Sequence, residues 1–335
     1  MYRTKPWGFA IGALFATTSF SVAGETVLPT SGDTNLAGLA DTVGGTDGPG
    51  ILELSGGVGI TFLEANEIVY TGAGSSDHLS QLIWQSTAPT LSGSAKVNLP
   101  GGWNIKADAK AAMNGNSYME DYDWFGPFFV SYDFNDWTHR SQHDATNLDW
   151  YFNGSLLVGR DFKVWDGVTI TPNAGIQYTD VQWTAFGGTG VYSDTGYRDL
   201  QWTLSDSVKG LTYRQQYPAI VAGLDTEIVQ DQWTFDLSAH AGFTFNVAND
   251  DQHWLRDRHT TMTFQAAPIV SLGASANYQV SDGLQLYLSG TAEKIFTARG
   301  NTDYYYSNTY VGSLSDNAGS DLFSASITGG IKGTF

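Results

Sequence analysis

Three carboxylates and one imidazole form a candidate catalytic set: Asp121 and Asp123 flank Tyr122, while Asp251 and His253 flank Gln252. Side chains alternate along a β-strand, so positions i and i+2 share a face. Each pair therefore points one way if its segment is extended. If the two segments end on one rim, all four groups converge. Histidine is the natural general base near neutral pH, and a neighbouring carboxylate fixes its tautomer. Two carboxylates forced together tend to share a proton. This is equipment for activating a water molecule, and hydrolysis is the chemistry it suits. The plainer reading is two solvated loop turns, or an incidental cation site.

Composition removes several other chemistries. The 335 residues contain no cysteine, which excludes a cysteine nucleophile, thiolate metal sites and disulfides. Sixteen basic against 34 acidic residues give a net charge of −18. That sign is wrong for nucleic acid, whose phosphates demand a basic face. The N-terminus reads as a secretory signal: Arg3 and Lys5, an uncharged apolar stretch over 7–20, then Ser21-Val22-Ala23 for cleavage. Residues 1–23 are assigned to this signal peptide, 24–50 to a flexible lead rich in Gly, Thr and Asp, and 51–335 to one domain. No metal and no resident cofactor is expected.

Strand-like alternation must position the four groups, because helical periodicity of any length is missing. Trp233, Phe235, Leu237, Ala239, Ala241, Phe243 and Phe245 are apolar at every second place, with Thr234, Asp236, Ser238, His240, Gly242 and Thr244 between them. The same pattern runs through 284–289 and 323–335. Period 2 with small polar partners marks a sheet with one apolar face. Long strands, aromatics near strand ends (Trp165, Trp183, Trp202, Tyr278, Tyr287) and an alternating segment closing on Phe335 favour a membrane barrel over a soluble sandwich.

Ten strands are predicted, at 51–70, 78–99, 103–116, 146–163, 167–185, 209–228, 232–248, 261–280, 284–297 and 321–335. They describe an all-β, transmembrane, antiparallel up-and-down barrel. Tight turns at Pro100-Gly101-Gly102, Asp166-Gly167, Gln230-Asp231 and Ser281-Asp282-Gly283 alternate with polar stretches around 117–145, 187–207, 246–260 and 298–320, read as long extracellular loops. The third and seventh strands run outward, so both site pairs land on the outer rim. Crossing a bilayer takes only about 9–11 strand residues, which leaves that rim above the lipid.

On this pattern the chain resembles the omptins, outer-membrane aspartyl endopeptidases of Gram-negative bacteria. The residues that carry the resemblance are Glu67-Ile68-Val69-Tyr70, Ser80-Gln81-Leu82-Ile83-Trp84, Asp121-Tyr122-Asp123-Trp124, Trp137-Thr138, Ser141-Gln142-His143 and Asp250-Asp251-Gln252-His253, with Arg299-Gly300-Asn301-Thr302 and Gly333-Thr334-Phe335 as looser matches. The resemblance implies hydrolysis without a covalent intermediate. Asp121 and His253 would flank the attacking water, Asp251 would orient His253, and Asp123 would complete the carboxylate pair. Ser141 and His143 match a pair near the site.

The specificity positions depart from the family. Omptins favour cleavage between basic residues through acidic pockets. Glu67 matches the glutamate at the base of the first pocket, but its acidic partner falls on Asn249, and the acid of the neighbouring pocket on His139. Cleavage after a basic residue with a neutral or acidic one following is therefore expected, with His139 and Arg140 repelling a cation on the leaving side. Lipopolysaccharide, which omptins require, would meet Tyr178 and Asp180, although Gln182 and Gln216 stand where basic residues are expected. The implied partners are peptide or protein substrates outside the cell and outer-membrane lipid. Two other functions fit a barrel. One is adhesion without proteolysis, through Trp124, Phe125, Phe128, Phe129 and Tyr304-Tyr305-Tyr306. The other is a small channel, which a side-chain-filled interior disfavours.

Overall fold

The alternating segments close into one antiparallel ring. The computed structural model describes residues 51–335; the signal peptide at 1–23 and the lead at 24–50 lie outside the described residues. The strands are β1 (Leu52–Tyr70), β2 (His78–Asn98), β3 (Trp103–Ala112), β4 (Asn116–Asp123), β5 (His139–Arg160), β6 (Phe162–Trp165), β7 (Val168–Tyr192), β8 (Leu200–Gln230), β9 (Trp233–Thr244), β10 (Val247–His253), β11 (Arg258–Phe264), β12 (Pro268–Ser281), β13 (Leu284–Tyr306) and β14 (Thr309–Thr334). β3 with β4, β9 with β10 and β11 with β12 are each one barrel strand in two pieces, and β6 only lengthens the hairpin before β7. The ring thus has ten strands. All ten predicted strands are present.

The apolar face points out, the reverse of a soluble sheet. On β14, Ile327 is 66 % exposed while its neighbours Ser326 and Thr328 are buried. Val58, Leu91, Ile220, Leu272 and Leu288 continue this lipid-facing belt around the ring. Trp165 and Tyr278 are exposed near its short-turn end, as a girdle requires. Three other predicted girdle residues are not there. Trp183 is fully buried inside, stacked on Trp84 with centroids 6.0 Å apart. Tyr287 lines an interior cavity, and Trp202 packs against Tyr192 and His143 near the rim.

Trp84, Trp183, Tyr213, Tyr217, Tyr151 and Met119 fill the mid-barrel. Beneath them lies a cavity of about 260 Å³ lined by charged groups, among them Glu53, Lys96, Lys106, Asp225 and Lys332. Ion pairs such as Lys332–Glu53 at 3.4 Å and Lys106–Asp225 at 3.7 Å compensate these charges.

The largest correction concerns the stretches read as loops. Residues 187–207, 246–260 and 298–320 are mostly strand, because β7 and β8, β10 and β11, and β13 and β14 continue pairing above the belt. The connections are then short, 193–199, 254–257 and 307–308, and only 124–138 is a long excursion. Apolar residues alternate there only in short patches, such as Leu200, Trp202 and Leu204, among many Gly, Ser, Thr and Asp residues, so no long hydrophobic alternation marks these extensions. Their backbone groups still need partners, and the ladder supplies them.

Candidate active site

Backbone breaks set up both halves of the site. Before β4, Asn114 and Gly115 take φ of 61° and 95°. A side chain at Gly115 would put its Cβ 2.5 Å from the Thr87 carbonyl oxygen, so glycine is required there. Before β10, Asn246 takes φ of 48°, a left-handed position that asparagine tolerates. Each break ends the belt segment and restarts pairing as part of the rim.

On β4, Asp121 sits opposite Leu82 and Ser141, and Asp123 opposite Ser80 and His139. On β10, Asp251 sits opposite Tyr213 and Thr260, and His253 opposite Leu211 and Arg258. Both pairs lie in strands and not in the loops expected for them.

The two pairs face each other across the ring. His253 Nε2 lies 2.7 Å from Asp251 Oδ2, and Asp251 is 1 % exposed. Thr260 donates to the same oxygen at 3.5 Å. Ser80 donates to Asp121 Oδ1 at 3.4 Å. Burial pushes the Asp121 carboxyl up to about 6; the charges of His253 and Arg256 oppose this and that of Asp251 adds to it. Asp123 is held well above the usual carboxylate range by burial and by Asp121 beside it. All four predicted groups therefore share one cleft.

Glu67 and Asn249 adjoin them. Glu67 is 3 % exposed and Asn249 4 %. Asn249 Nδ2 donates to the Tyr213 hydroxyl at 2.7 Å and to Ser320 Oγ at 2.6 Å. Burial, then the Asp251 charge, holds Glu67 well above its ordinary pKa, with Arg258 pulling it back. Glu67 Oε2, Asn249 Oδ1 and Asp251 Oδ1 are buried acceptors with no hydrogen-bond donor. Acceptors left in that state cost free energy until a donor arrives. Asp250, as its register predicts, points away and pairs with His259 at 2.7 Å on the outer wall.

His139 stands beside Asp123, between Phe125 (4.7 Å) and Tyr192 (4.8 Å), and accepts or donates at Thr138 Oγ1, 2.9 Å from Nδ1. Burial lowers its pKa, which keeps it neutral at pH 7. Arg140 belongs to the opposite strand face and lies 5.0 Å over the Trp137 ring. Arg140 therefore does not face the cleft, while the charge of Arg256 reaches Tyr192 beside His139. Ser141 and His143 bond to each other at 3.0 Å, both buried.

Tyr178 and Asp180 lie on the outer wall. Arg214 forms a two-pronged pair with Asp180 at 2.9 and 2.5 Å, Trp150 Nε1 donates to Asp180 at 3.0 Å, and Gln216 donates to the Tyr178 hydroxyl at 2.7 Å. Arg214 thus supplies a cation to the face where Gln182 and Gln216 are neutral.

Sequence reasoning missed Arg256 and Arg258, whose charges reach into the cleft. The signal was visible: two arginines within five residues of His253, in a chain with only 16 basic residues. It also missed Tyr213, Ser320 and Thr260, which carry no local pattern.

The family model that matches this chain is that of the omptin family, over residues 49–335. The outer membrane protease OmpP of Escherichia coli K12 is 25 % identical over 280 residues, covering 81 % of this chain and 86 % of that protein. The plasminogen activator of Yersinia pestis is 26 % identical over 198 residues, covering 56 % and 58 %. The crystal structure of the Escherichia coli outer membrane protease OmpT superposes with a TM-score of 0.75 at 22 % identity, covering 85 % of this chain and 96 % of that one. That likeness establishes the outer-membrane barrel fold, and with the match over nearly the whole described barrel the chain belongs to the omptin family.

Proposed function

We propose that this omptin is an outer-membrane endopeptidase in which a water held between Asp121/Asp123 and the Asp251–His253 dyad attacks the peptide carbonyl. Its relatives are named as proteases, and the observation that carries the mechanism is the buried His253–Asp251 pair facing two carboxylates whose pKa values are raised. Asp251 accepts from His253 Nε2–H, which leaves Nδ1 with its lone pair for the water proton. Hydroxide adds to the carbonyl carbon, and the imidazolium returns that proton to the leaving amine as the C–N bond breaks. No covalent enzyme intermediate forms. Adhesion alone would have no use for four acidic groups crowded with a histidine in one cleft.

The residue before the scissile bond enters the pocket of Glu67 and Asn249. Three buried acceptors without donors suit a guanidinium or an ammonium group. On the leaving side, neutral His139 with Phe125 and Tyr192 suits an apolar or aromatic residue. The test is to incubate the refolded barrel, with and without lipopolysaccharide, with a diverse peptide library and to sequence the products. Cleavage at paired basic sites would contradict the pocket assignment, and binding without cleavage would favour adhesion.

The rate should fall as pH drops. Asp121 must be ionised to hold the water, and its carboxyl is raised to about 6. Below that value protonation removes the working form, about tenfold per pH unit once one proton is taken up. A kcat/KM profile flat from pH 7 to 5 would show that Asp121 is not required as carboxylate.

Lipopolysaccharide is proposed as an activating lipid at the Tyr178–Asp180–Arg214 wall. Arg214→Ala should raise the lipid concentration needed for half-maximal activity by about tenfold, the scale of one charge-assisted hydrogen bond. Superimposable titrations of the variant and wild type would remove this wall from the lipid contact.

A further inference from the structure

Arg258 is the first residue after the turn at 254–257, whose last member, Asp257, takes φ of 47°. Register places it directly across from His253, so the two side chains emerge on one face. Its Nη2 contacts His253 Nε2 and lies 4.0 Å from Asp251 Oδ2. Its charge is also felt by Glu67 and Asp123. A guanidinium of the protein's own therefore lies amid the carboxylates that the hydrolytic reading assigns to substrate and catalysis.

That position conflicts with a working base. Arginine only donates hydrogen bonds. If it donates to His253 Nε2, that nitrogen's lone pair is used and the proton of the neutral ring sits on Nδ1. The ring then has nothing with which to accept a proton from water. If instead Nε2–H donates to Asp251, the lone pair on Nδ1 is free. The two bonds at Nε2 exclude each other.

Arg258 is also incompletely satisfied where it stands. Its Nε is a buried donor without a partner, while Glu67 Oε2, Asn249 Oδ1 and Asp251 Oδ1 are buried acceptors without donors. A mismatch of this kind favours exchange for a cation that fits the acceptors better. The side chain is a quarter exposed and sits at the mouth of a short turn, so it has a path out.

We infer that Arg258 is a displaceable internal cation that sets specificity: it rests against His253 and Asp251 in the free enzyme, and a basic substrate side chain must expel it before His253 can act as base. This rests on the hydrolytic reading of the same cleft. A cationic residue before the scissile bond competes for the carboxylates that hold Arg258 and repels it. A neutral residue does neither and leaves His253 engaged. Preference for basic substrates is thus written into turnover as well as into binding.

The test uses agmatine, a bare alkylguanidinium, on the refolded full barrel. Its affinity is measured by calorimetry for wild type, Arg258→Ala, Arg258→Lys and Glu67→Gln. Arg258→Ala should bind agmatine about tenfold or more tightly, the scale of one charge-assisted contact no longer displaced. Arg258→Lys keeps the charge but not the planar fork and should fall between the two. Nitrogen-15 spectra of histidine-labelled protein, with His253 assigned by its loss in His253→Ala, add a readout that a general field effect would not move. Saturating agmatine should shift wild-type His253 from Nδ1–H to Nε2–H, the state Arg258→Ala shows without ligand. Weaker agmatine binding in Glu67→Gln carries the pocket reading. If that loss occurs but Arg258→Ala leaves affinity and tautomer unchanged, the pocket stands and the displacement of Arg258 is overturned.

Discussion

Turnover in His253→Ala and in Asp121→Ala should fall by about 10²–10⁴-fold, the usual contribution of a positioned general base, while the barrel stays folded. Loss of the imidazole removes the histidine seated in the cleft against Asp251. Loss of Asp121 removes the carboxylate that faces it and that the proposed mechanism uses to hold the water. Neither residue carries the fold. Both lie above the lipid-facing belt, and strand pairing there runs through the backbone ladders of β4 and β10. The Asp121 side chain has a single hydroxyl partner, Ser80 at 3.4 Å.

Stability gives a second readout with a defined sign. A carboxyl raised to about 6 in the fold binds its proton more tightly there than in the unfolded chain. Its ionisation therefore opposes folding as pH rises above the ordinary carboxylate range. At pH 7 Asp121→Ala should leave the thermal midpoint unchanged or raise it. Near wild-type cleavage by either purified variant would remove the proposed mechanism. A fall in the midpoint together with lost activity would mean that Asp121 serves structure.

Glu67→Gln should lower kcat/KM for peptides with Arg or Lys before the scissile bond by about ten- to a hundredfold, corresponding to about 1.5–3 kcal/mol for one charge-assisted hydrogen bond. Peptides with a neutral residue there should change far less. The glutamine keeps the shape and an acceptor oxygen, so packing around this buried position is preserved. Asn249→Asp should act in the opposite direction. The Tyr213 and Ser320 hydroxyls that now accept from Asn249 can rotate to donate to a carboxylate, and a second acid then faces the substrate cation. It also joins Glu67 and Asp251 in a crowded acidic site, so the gain should grow with rising pH as the site ionises. Equal losses for basic and neutral peptides in Glu67→Gln would show that the carboxylate supports the cleft without reading the substrate.

The sequence by itself determined the strands, their lipid-facing side and the pairing of chemical groups within each strand. Residues such as Phe235, Leu237 and Phe243 alternate with polar partners, and that period of two marks sheet structure. The strand lengths, with the alternating segment closing on Phe335, select a membrane barrel over a soluble sandwich. The same period put Asp121 with Asp123 and Asp251 with His253, and turned Asp250 away. What lay beyond reach was everything that depends on which strands meet. The extensions of β7, β8, β13 and β14 looked like loops because their pairing uses backbone groups that every residue carries. Trp183 and Tyr287 looked like girdle residues because local pattern cannot tell an aromatic at the membrane surface from one turned inward. Arg140 was expected in the cleft and lies outside it, while Arg258 was overlooked and lies within it against His253. Side-chain alternation is a property of a few consecutive residues, legible in any short window. The cleft is a property of ring closure: it joins β4 to β10 across more than a hundred residues of chain, and only the hydrogen-bonded register of the closed barrel decides which charges share it.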